Sequence, residues 1–180
     1  ICKNPISYLY FYKNQPITNM NRPKIKLKLS SFDWLVEILA AIALIILIVI
    51  TLIHYSELPD KVPVHFNISG EPDSYAGKMG IWILSIVGTV LYIGLTILNR
   101  FPHAFNYTAK ITMENAEILY KISTQLVRVL KLVMLGLFNY INYQMIEVAL
   151  QHKQGIGKYF IWIYLAFLFA VLFFYIYKIA

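Results

Sequence analysis

Apolar residues gather in long runs along this chain, and the polar residues fall between the runs. Trp34 to Ile53 is almost unbroken Ile, Leu, Val and Ala, and at 1.5 Å of rise per residue about 20 such residues cross a hydrocarbon core roughly 30 Å thick. Three more runs follow, and together the four predict transmembrane helices at 34–54, 79–98, 130–150 and 158–178. A secretory signal peptide is a poor reading of the first, because its apolar region spans about 7 to 15 residues and ends in a small-residue cleavage site. The pattern predicts an all-α, integral membrane four-helix bundle with a short extracytoplasmic β-hairpin-like loop between its first two helices.

That loop, residues 55–78, is the one polar, motif-like stretch between two membrane-length runs. Within it Val62, Val64, Phe66 and Ile68 alternate with Pro63, His65, Asn67 and Ser69, the period-2 signature of a short strand. Gly70-Glu71-Pro72-Asp73 reads as a turn, and Ser74 to Gly77 as a returning strand. His65, Asn67 and Ser69 should then share one side, with Asp73 and Lys78 brought back towards them. A lone hairpin is marginal in water, so this one is expected to rest on helix ends, headgroups or a partner.

The later runs carry polar positions in regular places. Ser85, Thr89, Tyr92 and Thr96 recur along one face of the second run with Gly88 beside them, as in close helix packing. Residues 99–129 suit a cytoplasmic loop and an amphipathic helix, with Thr112 as N-cap, Glu114 in the first turn, and Lys121, Gln125, Arg128 and Lys131 forming a basic stretch that bends into the third run. Asn139, Asn142 and Glu147 lie in that run and should face the bundle interior or water, by structural hydrogen bonding or as a ligand-lining surface continuous with the hairpin. Residues 151–157 form an outer turn. Ala166 and Ala170 offer the fourth run a close-packing face, and its aromatic ends suit interfacial belts.

Composition excludes an ordinary soluble domain: 59% of the 180 residues are hydrophobic and 14% charged, against about 45 to 50% and about 25%. The formal charge of +7 does not point to nucleic acid, because the basic residues flank apolar runs instead of forming a face with interleaved aromatics. They read as topology. Arg22, Lys24, Lys26 and Lys28 precede the first run, Arg100, Lys110, Lys121, Arg128 and Lys131 separate the second from the third, and Lys178 follows the fourth. By the positive-inside rule both termini are cytoplasmic and the hairpin faces outwards, Lys153 and Lys158 counting mildly against this. Residues 1–33 form a basic tail in which Met20 is the expected native start, leaving 1–19 as non-native sequence.

No HExxH, GxSxG, Walker or dinucleotide motif is present, and the expectation is a non-enzymatic protein without cofactor. The single cysteine, Cys2, excludes an intrachain disulfide, and the four histidines lack helical metal-ligand spacing, so no metal is expected. Asp33 and Glu37, one turn apart, read as interfacial carboxylates beside basic neighbours, with a proton relay as the sharper alternative.

The hairpin also carries a resemblance. Leu58-Pro59, Pro63-x-His65-Phe66-Asn67, Gly70-x-Pro72-Asp73 and Lys78, followed by Phe105-Asn106-Tyr107, Lys110-Ile111-Thr112-x-Glu114-Asn115-Ala116 and Tyr120, are similar to a bacterial membrane-protein family of unknown function. That domain also forms the N-terminal part of SdpI-like immunity proteins, which protect cells against a secreted peptide toxin. The resemblance covers roughly residues 30 to 130. It implies a multi-pass protein of the bacterial cytoplasmic membrane with a signalling or immunity role, whose partners would be the lipid bilayer, a secreted peptide toxin or envelope protein, and a cytoplasmic repressor. Pro63, His65, Phe66, Asn67, Gly70, Asp73 and Lys78 are the candidate ligand-binding residues. A small transporter or accessory membrane subunit is the alternative, weakened by the lack of inverted repeats.

Overall fold

A computed structural model describes residues 22–179. Met20 and the tail assigned to 1–19 lie outside the described residues. Among the described residues the main elements are four α-helices and one hairpin: α1 (Ser31–His54), β1 (Lys61–Phe66), β2 (Pro72–Gly77), a 3-10 turn (Lys78–Trp82), α2 (Ile83–Leu98), α3 (Ala116–Ala149) and α4 (Phe160–Ile179).

Helix α1 starts one turn before its apolar run because Ser30 caps it. The Ser30 hydroxyl accepts from the Asp33 amide, and the Asp33 carboxylate accepts from the Ser30 amide at 2.8 Å, a reciprocal box that satisfies two orphan donors. Helix α3 is opened by a similar exchange. Thr112 N donates to Asn115 Oδ1 at 2.8 Å and Asn115 N to Thr112 Oγ1 at 3.3 Å, so Asn115 fills the place a glutamate takes in the usual box. From there α3 runs 34 residues without interruption, about 50 Å, so that the amphipathic stretch and the third apolar run are parts of one continuous helix.

Three helical stretches are long and apolar enough to cross a membrane: Ser31–His54, Lys78–Leu98 and Phe160–Ile179. The 34-residue α3 is longer than any of them, but its apolar stretch carries Arg128, Lys131, Asn139, Asn142 and Glu147. It is the hub of the bundle, packing against α1, α2, α4 and β1. Its polar residues can turn towards other helices, while Ile45, Val90 and Ile163 on its neighbours stay more than half exposed. Exposed aliphatic faces of this extent suit lipid as solvent, and the fold is that of an integral membrane protein.

The packing of α4 corrects one expectation. Ala166 and Ala170 are exposed, and α4 meets α3 through Phe160 and Tyr164 instead, with Tyr175 buried towards its far end. Among the described residues α4 packs mainly on α3, by ring stacking, Phe160 lying 3.9 Å from Tyr140 between centroids.

The segment before α1, the end of α4 and the loop after α2 pack together at the pole opposite the hairpin. Ile25, Leu27, Tyr107 and Ile179 surround buried Ile111, Ala116, Leu119 and Tyr120. Arg22 donates to the carbonyls of His103 and Phe105 and covers the Tyr107 ring, whose hydroxyl donates to the Pro102 carbonyl at 2.9 Å.

Candidate functional site

The hairpin pairs antiparallel, with Lys61 opposite Gly77, Pro63 opposite Tyr75 and Phe66 opposite Pro72. Irregularities between Pro63 and His65, and between His65 and Phe66, break the simple alternation read from the sequence. Pro63 is buried beside Val62, and His65 stands exposed opposite Ser74. The reversal lies two to three residues earlier than expected: Pro72 and Asp73 belong to β2, and Asn67 to Glu71 make the turn. Gly70 takes φ +82°, the left-handed region that glycine enters without steric cost.

Asn67 is consumed in that turn. Its Oδ1 accepts from the amides of Ser69 at 2.9 Å and Glu71 at 3.1 Å, and its backbone amide donates to the Glu71 carbonyl. This side chain shapes the loop, as Asx turns do. His65 and Asp73 do come together: Nδ1 and Oδ1 are 2.6 Å apart on the exposed face. Lys78 does not join them. Its ammonium donates to the Ser56 carbonyl at 3.2 Å and lies over the Tyr55 ring, so it locks the base of the hairpin to the end of α1.

The hairpin rests on helix ends. Leu58 and Val62 are buried with Ile81, Met145 and Ile146, joining β1 to the far end of α3. At the tip, the Ile156 amide donates to the Gly70 carbonyl at 2.8 Å. The two backbones meet so closely that a Cβ on Gly70 would lie 2.6 Å from the Gly157 carbonyl oxygen, and one on Gly155 would strike the Gly70 carbonyl. Glycines at 70 and 155 are thus what allows the turn to sit on the α3–α4 connection. Beneath the hairpin a cavity of about 390 Å³ opens between α2, α3 and α4, lined by Val64, His65, Phe66, Ile141, Met145 and Phe160 among others. The lining is largely apolar, and His65 brings to it the side chain that pairs with Asp73.

The polar residues of α3 divide. Asn142 is buried and donates to Thr51 Oγ1 at 2.9 Å; Thr51 donates to the Leu47 carbonyl and lies 3.2 Å from the Ser85 hydroxyl, linking three helices. Asn139 donates to the carbonyls of Ala43 and Leu135, both at 2.8 Å. Glu147 departs from this set. It faces the outer turn, 3.7 Å from His152, and its backbone carbonyl accepts from the amides of His152 and Lys153. Gln144, which the sequence did not single out as a site residue, is buried and braces the same turn through Gly155 and Lys153.

A second polar group lies at the opposite pole. Asp33 and Glu37 of α1 meet Arg128 and Lys131 of α3, not the lysines of the tail. Lys131 Nζ is 2.6 Å from Glu37 Oε2 and donates to Thr96 Oγ1 at 2.9 Å, with the Tyr92 ring beneath it. Arg128 stands 3.2 Å from Glu37 and 3.5 Å from Asp33, charge contacts without the alignment of good hydrogen bonds. Arg128 and Lys131 are therefore buried, where the sequence placed them on a basic face. The signal that could have found the group is the pair of spacings, i and i+4 on α1 and i and i+3 on α3, each of which puts both charges on one helical face. Among the described residues no three His, Cys, Asp or Glu side chains cluster as a metal site needs.

A family model described as a domain of unknown function, DUF1648, matches residues 42–89, which run from mid-α1 through the hairpin into α2. An uncharacterized protein of Archaeoglobus fulgidus is 33% identical over 76 residues, covering 38% of this chain and 42% of that protein. The matched region thus spans about two-fifths of the relative's length. No solved structure matches the chain.

Proposed function

We propose that this chain is a multi-pass protein of a cytoplasmic membrane, with α3 as its fourth span and both termini in the cytoplasm. Its clamped hairpin recognises an external peptide or envelope partner in a signalling or immunity role. One observation carries this reading: His65, paired with Asp73 on the exposed face, also lines a largely apolar cavity, on a hairpin packed from behind against α3. A secreted peptide that enters membranes presents apolar side chains beside polar ones, and this surface offers a place for each. The basic residues around α1 and between α2 and α3 support the orientation. The match to a domain of unknown function over residues 42–89 centres on this same hairpin and supports its importance without assigning a ligand.

The test uses cells challenged with a secreted, membrane-active peptide toxin. The wild-type chain should raise survival, and His65→Ala, at an equal level in the membrane, should lose that protection. Equal survival of both, or no protection by the wild type, counts against the immunity reading. If His65→Ala fails to reach the membrane, the residue is structural and recognition loses its support.

The buried ion pairs and the Thr51–Ser85–Asn142 group favour a second reading, a small transporter or accessory subunit with polar groups along its axis. Ion-dependent solute uptake by proteoliposomes containing the purified chain would select it.

A further inference from the structure

A cleft of about 470 Å³ opens between the start of α1 and the end of α2, at the pole away from the hairpin. From α1 it is lined by Trp34 and Ile38, both more than half exposed, and from α2 by Thr96, with Asn99 and Arg100 just beyond. Glu37 and Arg128 also reach it, but each is occupied: Asp33 and Glu37 are matched by Arg128 and Lys131, so that group is formally neutral. Arg100 remains as the excess charge, exposed and in no ion pair among the described residues.

Asn99 is the second observation. Both its side-chain atoms, Oδ1 and Nδ2, are shielded from solvent and have no hydrogen-bond partner. A buried amide with both groups unmatched is costly, and calls for a partner. A neighbouring guanidinium is suited to bind two oxygens of a phosphate at once. The exposed Trp34 ring suits the depth of lipid headgroups, and Ile38 continues the wall towards the hydrocarbon. Basic pockets between membrane helices take up anionic headgroups in this way.

We propose that this cleft binds the phosphate of a membrane phospholipid, from the leaflet at the pole opposite the hairpin. Arg100 donates to the phosphate oxygens, the Asn99 amide turns out of its shielded position so that Nδ2 joins it and Oδ1 accepts from a headgroup hydroxyl or ammonium, and an acyl chain lies along Trp34 and Ile38. A free phosphate shares the headgroup chemistry but leaves the apolar wall unused.

Native mass spectrometry of the full chain, purified in mild detergent and washed to remove loosely held lipid, tests the assignment with phosphatidylglycerol and phosphatidylethanolamine as probes. The wild type should retain one phospholipid per chain. Arg100→Gln and the near-isosteric Asn99→Asp should each reduce occupancy by about tenfold or more, as expected for losing or repelling a charged hydrogen-bond partner, while Arg100→Lys keeps most of it. Equal occupancy in the wild type, Arg100→Gln and Asn99→Asp overturns the proposal. Failure of millimolar inorganic phosphate to displace the lipid supports the lipid source, whereas phosphate binding with no retained lipid overturns that source. Should Arg100→Gln not accumulate, Asn99→Asp alone decides.

Discussion

Lys131 of α3 places its ammonium 2.6 Å from Glu37 of α1, in a site where the lysine is wholly buried. The pair joins residues 94 positions apart and is shared with Arg128 and Thr96, so α1, α2 and α3 are fixed to one another at a single point. Burying two ions costs solvation that their attraction only partly offsets, and the value of such a pair lies in how much is lost when one member goes.

Lys131→Met should therefore destabilise the bundle by about 3 to 5 kcal/mol, because the partly buried Glu37 loses its nearest cation and is left to Arg128 alone. Replacing both, Glu37→Leu with Lys131→Met, leaves Asp33 and Arg128 as a balanced pair and should recover most of that loss. Unfolding in detergent, followed by circular dichroism, measures both variants. A double variant as unstable as the single one would mean that the charges are not coupled.

A methyl group at the hairpin tip probes the clamp. In Gly70→Ala the new Cβ meets the Gly157 carbonyl, and the residue must hold φ +82°, a strain of about 1 to 3 kcal/mol outside glycine. The tip should lift from the α3–α4 turn, breaking the Ile156 to Gly70 hydrogen bond. Limited proteolysis within residues 67–72 should speed up while membrane insertion is unchanged. Unaltered cleavage would show that the contact does not hold the hairpin down.

Much of the hairpin was legible because a strand's period-2 pattern is local: Val62 and Phe66 alternate with His65, and a turn brings Asp73 back to it. The irregularities flanking His65 were not, since they depend on how β1 fits over Met145 and Ile146 of a distant helix. Asn142 was placed inside the bundle from its cost in lipid, but the same rule could not separate it from Glu147, which escapes to the outer turn. Ala166 and Ala170 show the limit on apolar faces. Packing and lipid-facing sides are equally greasy in a membrane, so the alternation that marks a buried face in water carries no such information there.

The loop after α2 makes a prediction in pH. Burial pushes the Tyr107 hydroxyl up to about 12, above the ordinary value of 10.0, because the charged phenolate would lose its solvation. The folded state thus holds this proton more tightly than the unfolded one. The resulting stability is complete below about pH 10 and disappears as pH rises through about 12. Unfolding of Tyr107→Phe should show a weaker pH dependence across that window than the wild type, and identical curves would assign the alkaline loss to other groups.

Sidedness can be read directly. Ser74 lies exposed on β2, and Thr108 lies exposed at the opposite pole, close to Tyr107. With Cys2 changed to Ser, a cysteine placed at either position reports one end of the bundle. The lysines and arginines around 22–28 and 100–131 should hold the Thr108 end in the cytoplasm. A membrane-impermeant maleimide added to intact cells should label Ser74→Cys at once and Thr108→Cys only after permeabilisation. The reverse pattern would turn the hairpin inwards, remove the external partner from reach of His65, and move the Asn99–Arg100 cleft to the outer leaflet.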